Sequence, residues 1–253
     1  MSEFDVRGIS RVFGKGPSRV VAVDDVSLQV EAGQRVGIVG ESGSGKSTLV
    51  RLMAGLLPVT SGDIEFGGRS IIGLKERELG FLRSQVAMVF QDPRSSLDPR
   101  MRVGRTVTEP LLKGWDGATR ASRLTEILMK VGLDPAIADR FPHEFSGGQR
   151  QRIAIARALA PRPRVLIADE ATSALDVSTR AQILNLIVDR VRDDGLTLIM
   201  VSHDLAVVRH VCDAVFVMRA GRIVETGSAE QIYNDPADPY TRQLVAAIPK
   251  LHL

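Results

Sequence analysis

The sequence predicts an α/β fold: a parallel-sheet core, preceded by an antiparallel β region and interrupted by a helical insertion. Three observations carry this. Val36–Val39, Val165–Ala168 and Leu196–Val201 are nearly continuous apolar runs, as in strands covered on both faces. Each run ends in a polar set: Gly40, Asp169-Glu170 and Ser202-His203-Asp204. Between the first two, Leu124, Ile127, Leu128 and Val131 fall at i, i+3, i+4 and i+7, a helical period.

In chain order, Val20–Val23 and Val26–Val30 read as strands around an Asp24-Asp25 turn. Asp63–Phe66, Gly67-Gly68 and Arg69–Ile72 read as a hairpin. From Val36 strands and helices alternate, which implies a parallel sheet. The helical stretch reaches its stop at Gly132 and Pro135. A second hairpin runs Ala214–Met218, Ala220-Gly221, Arg222–Thr226, and a short helix follows near Thr241–Ala247. No repeat or low-complexity linker divides the chain, so residues 1–253 are read as one domain. Its core and β subdomain occupy 1–91 and 161–253, and the helical subdomain about 92–160. In open parallel sheets ligands bind beyond the carboxyl ends of the strands, so the three polar sets are expected to converge on one edge.

Composition narrows the classes. With 253 residues the chain buries a core without disulfides or metals. Its one cysteine, Cys212, excludes an internal disulfide, fits a reducing cytosol, and in apolar company reads as a buried inert thiol. The net charge of +3 comes from scattered basic residues and does not argue for nucleic acid. Met1–Asp5 has neither the basic nor the apolar region of a signal peptide. No apolar stretch approaches the ~20 residues of a membrane helix, so any membrane role needs spans borrowed from a partner.

Gly40-Glu41-Ser42-Gly43-Ser44-Gly45-Lys46-Ser47-Thr48 matches the P-loop pattern, with a strand before it and an apolar helix (Leu49, Leu52, Met53) after it. Glycines let successive N–H groups wrap a phosphate, and the helix adds its positive end. Lys46 is placed for the β- and γ-phosphates and the Ser47 hydroxyl for Mg²⁺. This motif alone suits a kinase, a GTPase or an ATPase. Asp169 fits the acid that holds Mg²⁺ through its water shell, and Glu170 fits a base that accepts a proton from attacking water. His203 is placed to bond the γ-phosphate and align that water. His143, His210 and His252 read as surface or packing residues. Gln91 follows the apolar strand Val86–Phe90; its amide oxygen completes an Mg²⁺ shell, or it is an ordinary loop glutamine.

Phe145-Ser146-Gly147-Gly148-Gln149 precedes a helix, Arg150–Ala160, with no strand before it. It is a second anion-binding helix start but not a second P-loop.

Together these segments resemble the nucleotide-binding domain of the ABC superfamily, over nearly the whole chain. Phe145 replaces the usual leucine of the signature Leu-Ser-Gly-Gly-Gln. The P-loop, Gln91 as Q-loop, Val165–Glu170 as Walker B, Ser173-Ala-Leu-Asp176 as D-loop and His203 as switch histidine stand in family order. The resemblance implies a P-loop ATPase that hydrolyses ATP with Mg²⁺ held at Ser47, Gln91 and Asp169. Glu170, His203, Lys46 and Gln91 would be its catalytic residues. It implies head-to-tail pairing, with ATP gripped by the P-loop of one copy and Ser146, Gly147, Gly148 and Gln149 of the other. Asp176 would couple the two sites across that interface. An aromatic of the N-terminal strand stacks on adenine in the family; Phe13 is the candidate, with Val20 or a neighbour as the alternative. Ala171 stands where many relatives have proline, a change in local stiffness rather than chemistry.

Phe90-Gln-Asp-Pro-Arg-Ser-Ser-Leu-Asp-Pro-Arg100, Asp176-Val-Ser with Ala181–Leu186, and Asp238–Pro249 resemble the oligopeptide, dipeptide and nickel importer ATPases. That branch implies permease partners, a second ATPase subunit that is identical or different, and indirectly an extracytoplasmic substrate-binding protein. It implies a place on the cytoplasmic face of the cell membrane. Peptides are the expected cargo, with nickel, other metals, glutathione and opine-like compounds open. Many relatives carry a cysteine-bearing extension; this chain stops at Leu253, so no iron–sulfur cluster is expected. A soluble ABC ATPase of translation or repair would show two such domains or long coiled coils, and an exporter ATPase is often fused to membrane spans.

Overall fold

The computed structural model describes residues 2–92, 96–111, 114–173 and 175–248. Pro93–Ser95 of the first branch segment, Ala174 of the D-loop, Pro249 of the tail, His252 and Leu253 lie outside the described residues.

The chain opens with two long antiparallel strands, β1 (Ser2–Phe13) and β2 (Val20–Glu31), paired from Ser2↔Glu31 to Phe13↔Val20. The period-two pattern slips in both. In β1 the buried apolar residues are Phe4, Val6 and then Ile9; in β2 they are Val23 and then Val26, Leu28 and Val30. Each slip is a bulge with left-handed backbone, at Gly8 (φ 55) and Asp25 (φ 52), and the register shifts there. Serines hold the bulges across the pair: Gly8 N–H donates to Ser27 Oγ (2.9 Å) and Asp25 N–H to Ser10 Oγ (3.0 Å). The Asp24-Asp25 turn read from sequence is therefore a bulge within one continuous strand, because the serines satisfy the backbone that a turn would expose.

β3 (Arg35–Val39) leads into α1 (Lys46–Met53). β4 (Ser61–Phe66) pairs with β1, and β5 (Arg69–Ser70) closes the expected hairpin, giving a sheet ordered β2-β1-β4-β5. The second arm of that hairpin is two residues long rather than four; Ile71 N–H still donates to Ile64 O (2.9 Å). After α2 (Gly80–Gln85) come β6 (Val86–Val89), α3 (Val103–Thr108), α4 (Gly117–Lys130), α5 (Gly147–Leu159), β7 (Val165–Asp169) and α6 (Val177–Asp194). The chain ends with β8 (Thr197–Ser202), α7 (Leu205–Val211), β9 (Ala214–Arg219), β10 (Arg222–Ser228), α8 (Ala229–Asn234) and α9 (Pro239–Ala246).

These elements form two compact units, residues 1–83 with 197–253, and residues 84–196. In the first, β8, β3 and β9 run parallel and β10 returns antiparallel to β9. The β9–β10 turn has Ala220 at φ 47 and Gly221 at φ 83, two successive left-handed residues that match the twist of a tight hairpin. In the second unit β6 and β7 are parallel, Val86↔Val165 to Val89↔Ala168, and the helices bury Ile127, Leu128, Val131, Ile153 and Ile155 completely. Arg123, on the buried face of α4, is 4% exposed. Its Nε and Nη2 donate to Ala160 O (2.9 Å) and Leu159 O (2.7 Å), capping the carbonyl end of α5. No helix among the described residues is long and apolar enough to cross a membrane.

Candidate functional site

In the first unit, β3 and β8 pair in register up to Val39↔Ser202, so Gly40 and His203 leave from adjacent strand ends. In the loop from Gly40 to Gly45, Gly40 and Gly45 stand where the chain has no room for a side chain. A Cβ on Gly40 would meet Met218 O at 2.1 Å, and one on Gly45 would meet Ala22 O at 2.3 Å. The β9–β10 turn braces the loop, with Gly221 N–H donating to Ser44 O (2.9 Å) and Gly221 O accepting from Asp24 N–H (2.9 Å).

Lys46 opens α1 and is 4% exposed. Its ammonium donates to Gly40 O (2.8 Å) and Glu41 O (2.7 Å). Lys46 thus stands at the positive end of α1, whose first turn holds no acidic residue, a place that favours an anion. Ser47 and Thr48 are half-buried beside it. At the end of β8, Asp204 caps α7, accepting from Ala206 N–H (3.0 Å) and Val207 N–H (3.3 Å), while His203 is exposed. Phe13, 37% exposed, stands opposite Val20 across the strand pair, so the two candidates for an adenine platform are neighbours. The Arg11 guanidinium lies 4.6 Å from the Phe13 ring centre.

In the second unit, the Val89↔Ala168 pairing brings the chain after β6, with Gln91, and Asp169-Glu170 to neighbouring strand ends. Asp169 is 2% exposed, Gln91 exposed and Glu170 half-buried. Glu170 sits at φ 48, left-handed backbone that costs a non-glycine residue ~1–2 kcal/mol. Its carbonyl accepts from both Ser173 N–H and Ser173 Oγ–H (3.1 Å each), which fixes it. Sequence reasoning placed Ser173 in the D-loop but missed this role; a serine three residues after Glu170 is the signal for it.

Ser146 is the N-cap of α5, so that helix begins at Gly147, three residues earlier than the sequence reading placed it. Ser146 Oγ accepts from Gln149 N–H (3.3 Å) and Gln149 Oε1 accepts from Ser146 N–H (3.0 Å), a reciprocal capping box. No acidic residue lies in its first turn. Gly148 packs against Thr179, where a Cβ would meet Cγ2 at 2.5 Å. Asp176 caps α6, accepting from Thr179 N–H (3.0 Å) and Ser178 Oγ (2.7 Å), and these bonds hold its pKa down to about 2. Sequence reasoning missed Thr179 and also Tyr240, whose hydroxyl accepts from Glu41 N–H (2.9 Å).

A glycine cradle with a buried lysine, an acid pair at a strand end and the parallel strands that present them define a P-loop NTPase. Residues 23–173 match the family model described as ABC transporter. The chain belongs to the ABC transporter family and is an ATPase of that class. It is 45% identical over 249 residues to the oligopeptide transport ATP-binding protein OppF of Escherichia coli (strain K12), spanning 97% of this chain and 75% of that one. It is 46% identical over 246 residues to the di/tripeptide transport ATP-binding protein DppF of Pseudomonas aeruginosa (strain UCBPP-PA14), spanning 96% and 76%. The dimeric ATP-binding cassette MJ0796 bound to ADP and Pi superposes with a TM-score of 0.81 at 30% identity, over 89% of this chain and 98% of that one.

Proposed function

We propose that this chain is the ATP-hydrolysing subunit of a peptide importer, seated on the cytoplasmic face of the cell membrane against partner permease subunits. The observation that carries it is the pair of phosphate-binding helix starts on one chain, Gly45-Lys46 and Ser146-Gly147, only the first of which bears a lysine. ATP then lies between the P-loop of one protomer and Ser146–Gln149 of a second ATPase subunit, identical or different. Lys46 neutralises the β- and γ-phosphates, and loop N–H groups between Gly43 and Thr48 cradle them. Glu170 accepts the proton of the attacking water, and His203 holds that water and the γ-phosphate in line. Asp176 couples the two sites, and Phe13 stacks on adenine.

Ser47, Gln91 and the buried Asp169 are all oxygen donors, the set that suits Mg²⁺. When bound, the ion neutralises charge on the phosphates. The helical subdomain, about residues 92–160, carries the signature serine toward the partner's nucleotide. The tail resemblance and the likeness to OppF and DppF support peptides as cargo, delivered by an extracytoplasmic binding protein.

Glu170→Gln tests the chemistry. It is expected to bind ATP as the unmodified chain does and to hydrolyse it ~10²–10⁴-fold more slowly. Near-normal turnover would refute the assignment. ATP-dependent peptide uptake by vesicles holding this chain and its permease tests the cargo.

A further inference from the structure

The tail helix reaches the phosphate cradle. Tyr240, in the first turn of α9, is 2% exposed, and its hydroxyl accepts the Glu41 N–H at 2.9 Å. The carbonyl of that same peptide group, Gly40 O, accepts from the Lys46 ammonium at 2.8 Å. One peptide group is thus held at both ends, by the tail tyrosine and by the P-loop lysine.

The placement of Tyr240 is over-determined. Asp238 Oδ1 caps α9 by accepting from Tyr240 N–H (2.7 Å). The Glu225 carboxylate of β10 accepts from Ala237 N–H (2.7 Å) and Asp238 N–H (3.0 Å), tying the helix start to the sheet. The Arg219 guanidinium lies 4.8 Å from the ring centre. Burial raises the Tyr240 pKa, so the group stays a neutral phenol. A phenylalanine would fill the same space; the Glu41 N–H is what uses the hydroxyl. Farther along the tail, Leu244 and Ile248 line, with Gly40 and His203, a cavity of about 210 Å³.

Gly40, Gly43 and Gly45 have φ of 151°, 81° and 105°, and glycine backbone loses the most freedom on ordering. If the Gly40–Glu41 peptide turned over, Lys46 would lose an acceptor and its aim into the loop.

We infer that Tyr240 is a positioning residue for ATP: with Lys46 it fixes the Gly40–Glu41 peptide, so the tail helix presets the cradle for the triphosphate. This rests on the ATPase reading above. The gain is in preorganisation, so it falls on nucleotide affinity and not on the chemical step. One neutral hydrogen bond sets the scale, about fivefold in affinity.

The test is Tyr240→Phe in the full chain, which keeps the ring, the Arg219 contact and the buried volume. Three quantities are compared with the unmodified chain: the Kd for ATP, kcat at saturating ATP, and hydrogen exchange of the Glu41 amide. The inference expects Kd to rise about fivefold, kcat to stay within twofold, and the Glu41 amide to exchange faster while the melting temperature holds. Unchanged Kd and unchanged Glu41 exchange would overturn it, as would a fall in kcat at constant Kd. Hydrolysis by the unmodified chain tests the underlying reading, and the ratio of variant to unmodified Kd tests Tyr240, so the two fail separately.

Discussion

An alanine at position 148 would bring its Cβ within 2.5 Å of Thr179 Cγ2, closer than carbon atoms approach without displacement. Thr179 has little freedom to yield. Its side chain is β-branched, and its N–H donates to Asp176 Oδ1 at the start of α6. Gly148→Ala therefore overpacks a half-buried joint between α5 and α6, at about 1–3 kcal/mol. Against this, alanine is favoured over glycine inside a helix by roughly 0.5–1 kcal/mol. Thr179→Ser removes only the clashing methyl and keeps the hydroxyl. In that background Gly148→Ala should become neutral or stabilising, so the pair couples by about 1–3 kcal/mol. Urea unfolding of the four chains measures this cycle. If Gly148→Ala costs the same with serine at 179 as with threonine, the steric reasoning is wrong. The double variant then separates fold from function: its stability returns, and its hydrolysis stays low if Gly148 also lies against a partner's nucleotide.

Two further expectations follow from single side chains. Burial pushes the Cys212 thiol up to about 12, so the native chain should not react with a thiol reagent at pH 8, while the urea-unfolded chain should titrate one group. Rapid native labelling would contradict the buried placement. Asp213 accepts from Arg35 Nε (3.2 Å) and Arg35 N–H (3.1 Å), and the Arg35 side-chain bond holds its carboxyl below the ordinary range. A depressed native pKa contributes stability above the unfolded value, lost as pH falls below about 4 toward the native value. Asp213→Asn should accordingly flatten the loss of stability on acidification, and an unchanged slope would remove Asp213 from that account.

Much of the site was legible because its chemistry is written in contiguous residues. Gly40–Thr48, Asp169-Glu170 and Ser146–Gln149 are each local, and the apolar strand before the first two announces where they sit. The turn residues Ala220-Gly221 were equally plain. What could not be read depends on partners distant in sequence. Gly8 and Asp25 slip the strand period, and the serines that make those slips tolerable, Ser27 and Ser10, lie on the opposite strand. Arg123 reads as a surface residue until the carbonyl end of α5 is placed beside it. Gly148 reads only as part of a motif until Thr179 shows why the position has no room. Tyr240 belongs to a tail that resembled a family by its letters, and its bond to Glu41 joins residues 199 positions apart.

On the function proposed above, one chain carries two unlike halves of an ATP site, completed only by a second copy or a close relative. Complementation tests it most directly. Lys46→Ala spoils the catalytic half and leaves Ser146–Gln149 sound; Ser146→Arg does the reverse. Each variant is assayed alone and then in a mixture, at concentrations where the unmodified chain hydrolyses ATP. The account predicts that each alone is inactive and that the mixture regains activity, since the sound P-loop of one meets the sound signature of the other. A mixture as inactive as its parts, or a Ser146→Arg chain with full activity by itself, would contradict it.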